Sequence, residues 1–176
     1  YLKKSTKTAS TGSDDVRKTV LDILNEIELG GDAAALKYAV EFDGYVGNLI
    51  LTNDEIQMAC DLVPEKLKQD IQFAHANVKR FAEAQRGTVT DFETEIVPGL
   101  IAGQKSIPCN AAGCYVPGGR YSHVASAIMT VTTAKVAGCQ HITACSPPAK
   151  DSGIAPAIVY AANLCGADKI LAMGGV

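Results

Sequence analysis

"AGCYVPGGRYSHVASAIMTVTTAKVAGCQHITACS", residues 112–146, runs from a short apolar strand through a loop and a helix into a second apolar strand. The strand "AGCYV" leads to the loop "PGGRYSH" and the helix "VASAIMTVTTAKVAG", and Gly138 stands where that helix should stop. The pattern then repeats. "HITACS" enters a Pro-rich loop, "IAPAIVYAANLCG" reads as a helix stopped at Gly166, and "KILAM" is a third strand that meets Gly174 and Gly175. Short, nearly wholly apolar strands alternating with helices predict a parallel sheet covered on both faces. Because such crossovers are right-handed, the β-α-β-α-β unit reads as half of a doubly wound, Rossmann-like nucleotide-binding architecture.

Upstream the chain is mostly helical. "SDDVRKTVLDILNEIELGG" puts Val16, Val20, Ile23 and Ile27 on one face, and Gly30-Gly31 is suited to a left-handed cap. A second helix is expected from Asp32 through "AAALKYAVEF". "TNDE" is a capping box, Thr52 standing three residues before Glu55, and it predicts a helix ending near Leu62. Pro64 fits the first turn of a longer helix whose core stripe is expected at Leu67, Ile71, Ala74, Val78 and Phe81. His75 lies beside that stripe, as a partly packed surface histidine does. From Thr88, "TVTDFETEIV" and "LIAGQKSIP" read as two strands turned by Pro98-Gly99. The expected division is a helical N-terminal region over 1–87, a β-strand connection over 88–112, and the start of a Rossmann-like cofactor domain over 113–176.

The 176 residues are 47% hydrophobic and 20% charged with a net charge of −3, which is ordinary for a globular protein and gives no reason to expect nucleic acid. No apolar run approaches membrane-spanning length, and "YLKK" is too brief for a targeting segment. The six cysteines form no Cys-x-x-Cys pair and sit among small apolar residues, so a reduced, cytoplasmic protein without disulfides is expected. The chain opens without methionine and stops at "ILAMGGV", a strand with no helix after it. That predicts the N-terminal part of a longer protein, cut inside a domain.

In an open α/β sheet, ligands gather beyond the carboxyl ends of the strands. "PGGRYSH" is the most loaded loop there. Gly118 and Gly119 would let the backbone approach a ligand, and the next helix offers unpaired N–H groups to an anion. Arg120 adds a planar cation and His123 a donor that can become cationic. A plain turn with a solvated arginine is the competing reading, since the sequence is neither GxGxxG nor a Walker loop. Tyr115, at the end of its strand, either lies against a cofactor or is a core or edge tyrosine. Ser146 either donates to a phosphate or shapes a rigid Ser-Pro-Pro turn. His75, His123 and His141 share no metal-ligand spacing, and no nucleophile-base-acid set can be assigned.

"GCYVPGGRYSHVASAIMTVTTAKVAGCQHITACSPP", "IVYAANLCGADKILAMGGV" and "VPGLIAGQKSIP" resemble the histidinol dehydrogenase family, strongly over residues 97–176 and more loosely upstream. The resemblance implies a fold like that of the aldehyde dehydrogenase group, with two incomplete Rossmann-like domains. It also implies zinc-dependent homodimers that oxidise an alcohol to an acid by two hydride transfers to NAD. Tyr115 matches the family's NAD-contacting tyrosine. The next cofactor contact, the zinc ligands and the acid/base pair are expected beyond residue 176, leaving no catalytic or metal residue in this segment.

One departure bears on substrate. Biosynthetic members follow Pro-Gly-Gly with small and apolar residues such as Thr-Ala-Pro-Leu, whereas this chain has Arg120, Tyr121, Ser122 and His123. A cation there would repel the amine of histidinol and attract an anion. Arg120 and His123 are therefore the candidate substrate-binding residues for a small anionic alcohol. A branch of the family with this pattern oxidises 2,3-dihydroxypropane-1-sulfonate to sulfolactate, and that activity is the first expectation. Histidinol oxidation is the nearest alternative, and a non-catalytic Rossmann-like binding module is the reading from another class.

Overall fold

The strands β3 (Ala111–Tyr115), β4 (His141–Ser146) and β5 (Lys169–Ala172) form a parallel sheet in that order. A computed structural model describes residues 13–118, 122–149 and 152–174 of the chain. The register sets Ala111 against His141, Tyr115 against Cys145, and Ser146 against Ala172. Helices α4 (Val124–Ala137) and α5 (Pro156–Cys165) make the crossovers. Both stop in left-handed glycines, Gly138 at φ 94° and Gly166 at φ 93°, because only a residue without Cβ takes that turn cheaply. The βαβαβ unit therefore stands as the sequence reads it.

Alternate residues decide the core. Cys114, Ile142, Ala144, Ile170 and Ala172 are buried and share one cluster with Ala127, Ile128 and Val131 of α4 and Ile158, Val159 and Ala162 of α5. The small alanines at this contact let the two helices approach each other and the sheet closely. The opposite face differs from the expectation of a sheet covered on both sides. Tyr115 is exposed there, while Thr143, Cys145 and Leu171 are only half-buried. A cavity of about 360 Å³ lies over that face, lined by Ile27 and Ala35 of α1 (Ser13–Asp43) together with Thr143 and Leu171. Helix α1 thus roofs the face without filling it.

The edge of β5 is paired by a segment that the sequence pattern leaves as a connection. Leu51 N–H donates to the Ile170 carbonyl at 3.0 Å, and Ala172 N–H donates to the Leu49 carbonyl at 2.8 Å. Ile50 and Leu171 form an antiparallel bridge between them. Those bonds satisfy backbone groups that an open edge would leave unpaired.

Helix α1 breaks where its glycines predict, but in a different geometry. Gly31 has φ 56° and ψ −141°, outside the left-handed helical well, and a helix resumes directly after it. The result is a kink rather than a cap. Helix α2 (Asn53–Asp61) carries the full capping box: Glu55 N–H donates to Thr52 Oγ1 at 3.2 Å, and Thr52 N–H donates to the Glu55 carboxylate at 2.7 Å. That backbone hydrogen bond holds the Glu55 carboxyl below its ordinary range.

Helix α3 (Glu65–Gly87) begins one residue after Pro64, which is its N-cap rather than part of its first turn. Its buried line is Ile71 and Ala82, with Ala74 and Val78 partly covered, whereas Phe81 is 67% exposed. At 3.6 residues per turn, position 82 falls about 20° from position 71 and position 81 about 80° away. The stripe therefore continues to Ala82, and Phe81 leaves it.

Strands β1 (Phe92–Val97) and β2 (Leu100–Gln104) form an antiparallel hairpin with a bulge between Glu95 and Val97. Gly99 turns it at φ 84°, and its N–H donates to the Glu95 carboxylate at 2.7 Å. Every residue of both strands is exposed. The six cysteines are all free. Burial raises the thiol pKa of Cys60, Cys114, Cys145 and Cys165. Cys109 departs from the expectation of a small buried hydrophobe, being exposed. No helix among the described residues is long and apolar enough to cross a membrane.

Candidate functional site

The loops that follow β3 and β4 at the carboxyl edge of the sheet enclose a cavity of about 270 Å³. Gly118 and Ser122 from the β3–α4 loop line it, with Pro147, Pro148, Ala149, Ser152 and Gly153 from the β4–α5 loop and Asp43 from the end of α1. Val116, fully buried, anchors the first loop by donating its N–H to the Cys145 carbonyl at 2.8 Å. The second loop is pinched by a pair of hydrogen bonds between Ala149 and Gly153, at 2.8 and 3.0 Å.

Both helices that start at this edge lack a side-chain cap. The N-cap of α4 is His123 and that of α5 is Ala155, and neither makes a capping hydrogen bond. Thr52 fully caps α2, which starts elsewhere. At α4 the missing cap leaves the N–H groups of Val124 and Ala125 for another acceptor. Helix α5 opens on Pro156, which has no N–H, and its Ile158 N–H already donates to the Ala155 carbonyl at 2.9 Å, leaving Ala157. The helix dipoles favour an anionic acceptor. Ser146 adds a second unsatisfied group. Its hydroxyl, at the end of β4, is 1% exposed and has no hydrogen-bond partner among the described residues, although it does not itself line the cavity. A buried hydroxyl left unpaired is costly; Thr132 of α4 shares that condition.

Gly118 has a tighter job than letting a ligand approach. A Cβ there would lie 2.6 Å from Pro147 Cγ and 2.8 Å from the Pro147 carbonyl oxygen. The glycine lets the first two loops meet, and so shapes the floor of the cavity.

Of the residues singled out from sequence, Tyr115 ends β3 on the open face of the sheet with 46% of its surface exposed, outside the core that α4 and α5 cover. It does not line the cavity. His123 is exposed at the start of α4, and its carbonyl accepts the N–H groups of Ser126 and Ala127. Arg120 lies outside the described residues. Among those residues, no group of three or more His, Cys, Asp or Glu side chains is placed to hold a metal ion. The sequence reading missed Asp43. Its carboxylate accepts the Gly174 N–H at 2.9 Å across a separation of 131 residues, and no local pattern could announce that contact.

This architecture defines the class: a Rossmann-like parallel α/β unit with glycine-shaped loops and open helix ends at its ligand edge. The family model for histidinol dehydrogenase matches residues 6–176, and the chain belongs to that family. It is similar to the sulfopropanediol 3-dehydrogenase of Ruegeria pomeroyi, with 65% identity over all of this chain and 40% of the relative. The histidinol dehydrogenase of Methanosarcina barkeri is 37% identical over 94% of this chain and 38% of that protein. The crystal structure of histidinol dehydrogenase from Elizabethkingia anophelis superposes with a TM-score of 0.84 at 31% identity, covering 99% of this chain and 39% of that one. The chain thus spans about 40% of the length of the relatives it matches.

Proposed function

We propose that the protein carrying this chain is an NAD- and zinc-dependent dehydrogenase that oxidises 2,3-dihydroxypropane-1-sulfonate to sulfolactate. The observation that carries the reading is the 65% identity, over the whole chain, to a sulfopropanediol 3-dehydrogenase. Converting the primary alcohol to the acid takes one water and delivers two hydrides, each to one NAD.

The cavity supports the cofactor half of this reading. The first turn of α4, with the Ala157 N–H of α5, would hold the pyrophosphate, and the exposed Tyr115 ring, outside the cavity on the open face of the sheet, would lie against another part of the dinucleotide. NAD supplies hydride acceptance; the residues of this chain bind and orient it. The zinc ligands are assigned outside this segment, and no step here runs through the metal. We assign 1–87 and 88–112 to the supporting scaffold and 113–176 to the start of the cofactor domain, in a homodimeric cytoplasmic enzyme.

Arg120 and His123 are proposed to bind the sulfonate, which stays ionised at neutral pH and so needs fixed donors. The second reading, histidinol oxidation, is favoured by the family model and by the solved relative. NAD reduction by the purified full-length protein, with sulfopropanediol and with histidinol, separates the two. Turnover of sulfopropanediol with little of histidinol is expected; the reverse overturns the sulfonate assignment. Loss of one charge-assisted hydrogen bond is worth roughly 1.5–3 kcal/mol. Arg120→Ala should therefore lower kcat/KM for sulfopropanediol by about one to two orders of magnitude and leave NAD affinity nearly unchanged.

A further inference from the structure

Asp43 supplies a carboxylate to the cavity at the ligand edge, and it comes from an unexpected element. It is the last residue of α1, where the negative end of the helix dipole disfavours an acid. The side chain is fixed there by the Gly174 N–H, which donates to Oδ2 at 2.9 Å. A Cβ on residue 174 would lie 3.1–3.2 Å from the two carboxylate oxygens, so the glycine makes the approach easier.

In a doubly wound dinucleotide domain, an acidic side chain near the end of the second strand accepts the ribose 2′-hydroxyl. Here β4 is the second strand, and it ends in Ser146, Pro147 and Pro148, with no carboxylate. Pro147 and Pro148 line the same cavity as Asp43. The acid missing from the strand end is thus supplied from the N-terminal helix. Among the described residues the carboxylate accepts one hydrogen bond, from Gly174, which leaves lone pairs enough for a vicinal diol.

We propose that Asp43 is a cofactor-specificity residue: its carboxylate accepts the ribose hydroxyls of NAD and repels the 2′-phosphate of NADP. The assignment rests on the reading of this cavity as an NAD site. It gives the N-terminal helical region a part in the chemistry besides support.

The test is kcat/KM of the full-length protein with NAD and with NADP, together with direct titration of both cofactors. Wild type is expected to favour NAD strongly. Asp43→Asn keeps an oxygen for the Gly174 N–H and removes the charge. It should shift the NADP-to-NAD ratio of kcat/KM toward NADP by about tenfold or more, mainly through KM for NADP. Asp43→Ala should weaken NAD binding as well; if that variant does not fold, the Asn ratio decides. A purely structural tie would weaken both cofactors together, so an unchanged ratio in Asp43→Asn overturns the assignment while NAD binding itself stands. Equal use of both cofactors by wild type also overturns it. A wild-type protein that binds neither dinucleotide overturns the NAD reading, and this inference with it.

Discussion

The three-stranded sheet and the β1–β2 hairpin both carry large apolar residues, yet the fates of those residues differ. Ile142 and Ile170 of the sheet sit at no more than 2% exposure, while Ile96 and Ile101 stand at 60% and 66%. The sheet has α4 and α5 laid over one face by its own crossovers, so its apolar residues find partners within the same stretch of chain. The hairpin returns on itself after two residues and brings no helix with it. A lone two-stranded hairpin is marginal in water, and its apolar side chains imply a covering surface that the described residues do not supply. Apolar composition thus says that a surface will be covered; connectivity says whether the cover is nearby.

The comparison breaks most directly by truncating one isoleucine in each region. In the chain of residues 1–176, Ile142→Ala should cost about 2–5 kcal/mol, through lost transfer energy and the cavity left in a closed core. Ile101→Ala should change stability by no more than about 0.5 kcal/mol, as at other exposed sites. Urea unfolding of the two variants checks this. Equal losses would mean that the hairpin is packed within this chain after all. In the full-length protein the Ile101→Ala cost should rise if the hairpin is covered there, and the rise would measure that cover.

The same contrast marks what was readable in advance. The βαβαβ unit was legible because its punctuation is local: apolar runs of strand length, helices between them, and Gly138 and Gly166 at the two stops. The capping box at Thr52 was legible for the same reason. What depends on distant partners was not. The pairing of residues 49–51 with β5, the open second face of the sheet and the Asp43–Gly174 bond each join segments more than a hundred residues apart. Phe81 was misplaced because its size suggested core, while the helical angle selects Ala82. At the site, the loop positions were legible, but the reason for Gly118 was not, since Pro147 comes from another loop.

A smaller effect sharpens the sheet side of the comparison. Gly118→Ala places a methyl against Pro147, including a backbone oxygen that cannot rotate away. Relieving the overlap should cost about 1–3 kcal/mol, like other overpacked sites. It should also part the first two loops and weaken NAD binding in the full-length protein. Gly99→Ala, at the hairpin turn, meets no neighbouring atom and is strained only by its φ of 84°. It should lower stability without touching the cofactor. Thermal melts and NAD titration of both variants separate loop packing from backbone strain; a Gly118→Ala protein with native affinity would show that the loops adjust freely.

The smallest expected effect is a pH dependence at His75, on the helix that carries Ile71 into the core of the sheet unit. Burial, with Lys79 nearby, lowers the imidazole pKa below its ordinary value of 6.5. The folded state therefore prefers the neutral ring, and between the folded and unfolded pKa values the unfolded chain binds more protons. Stability must then rise with pH through that window. The contribution is fully present above about pH 7.5 and erodes as pH falls through 6.5 toward the folded value. His75→Gln cannot titrate, so the difference in Tm between wild type and this variant should be flat above pH 7.5 and move against wild type on acidification to pH 5.5. The hairpin carries no histidine, so none of this change can originate there. A difference that stays constant across the range would mean that the His75 ring is fully solvated in the folded protein.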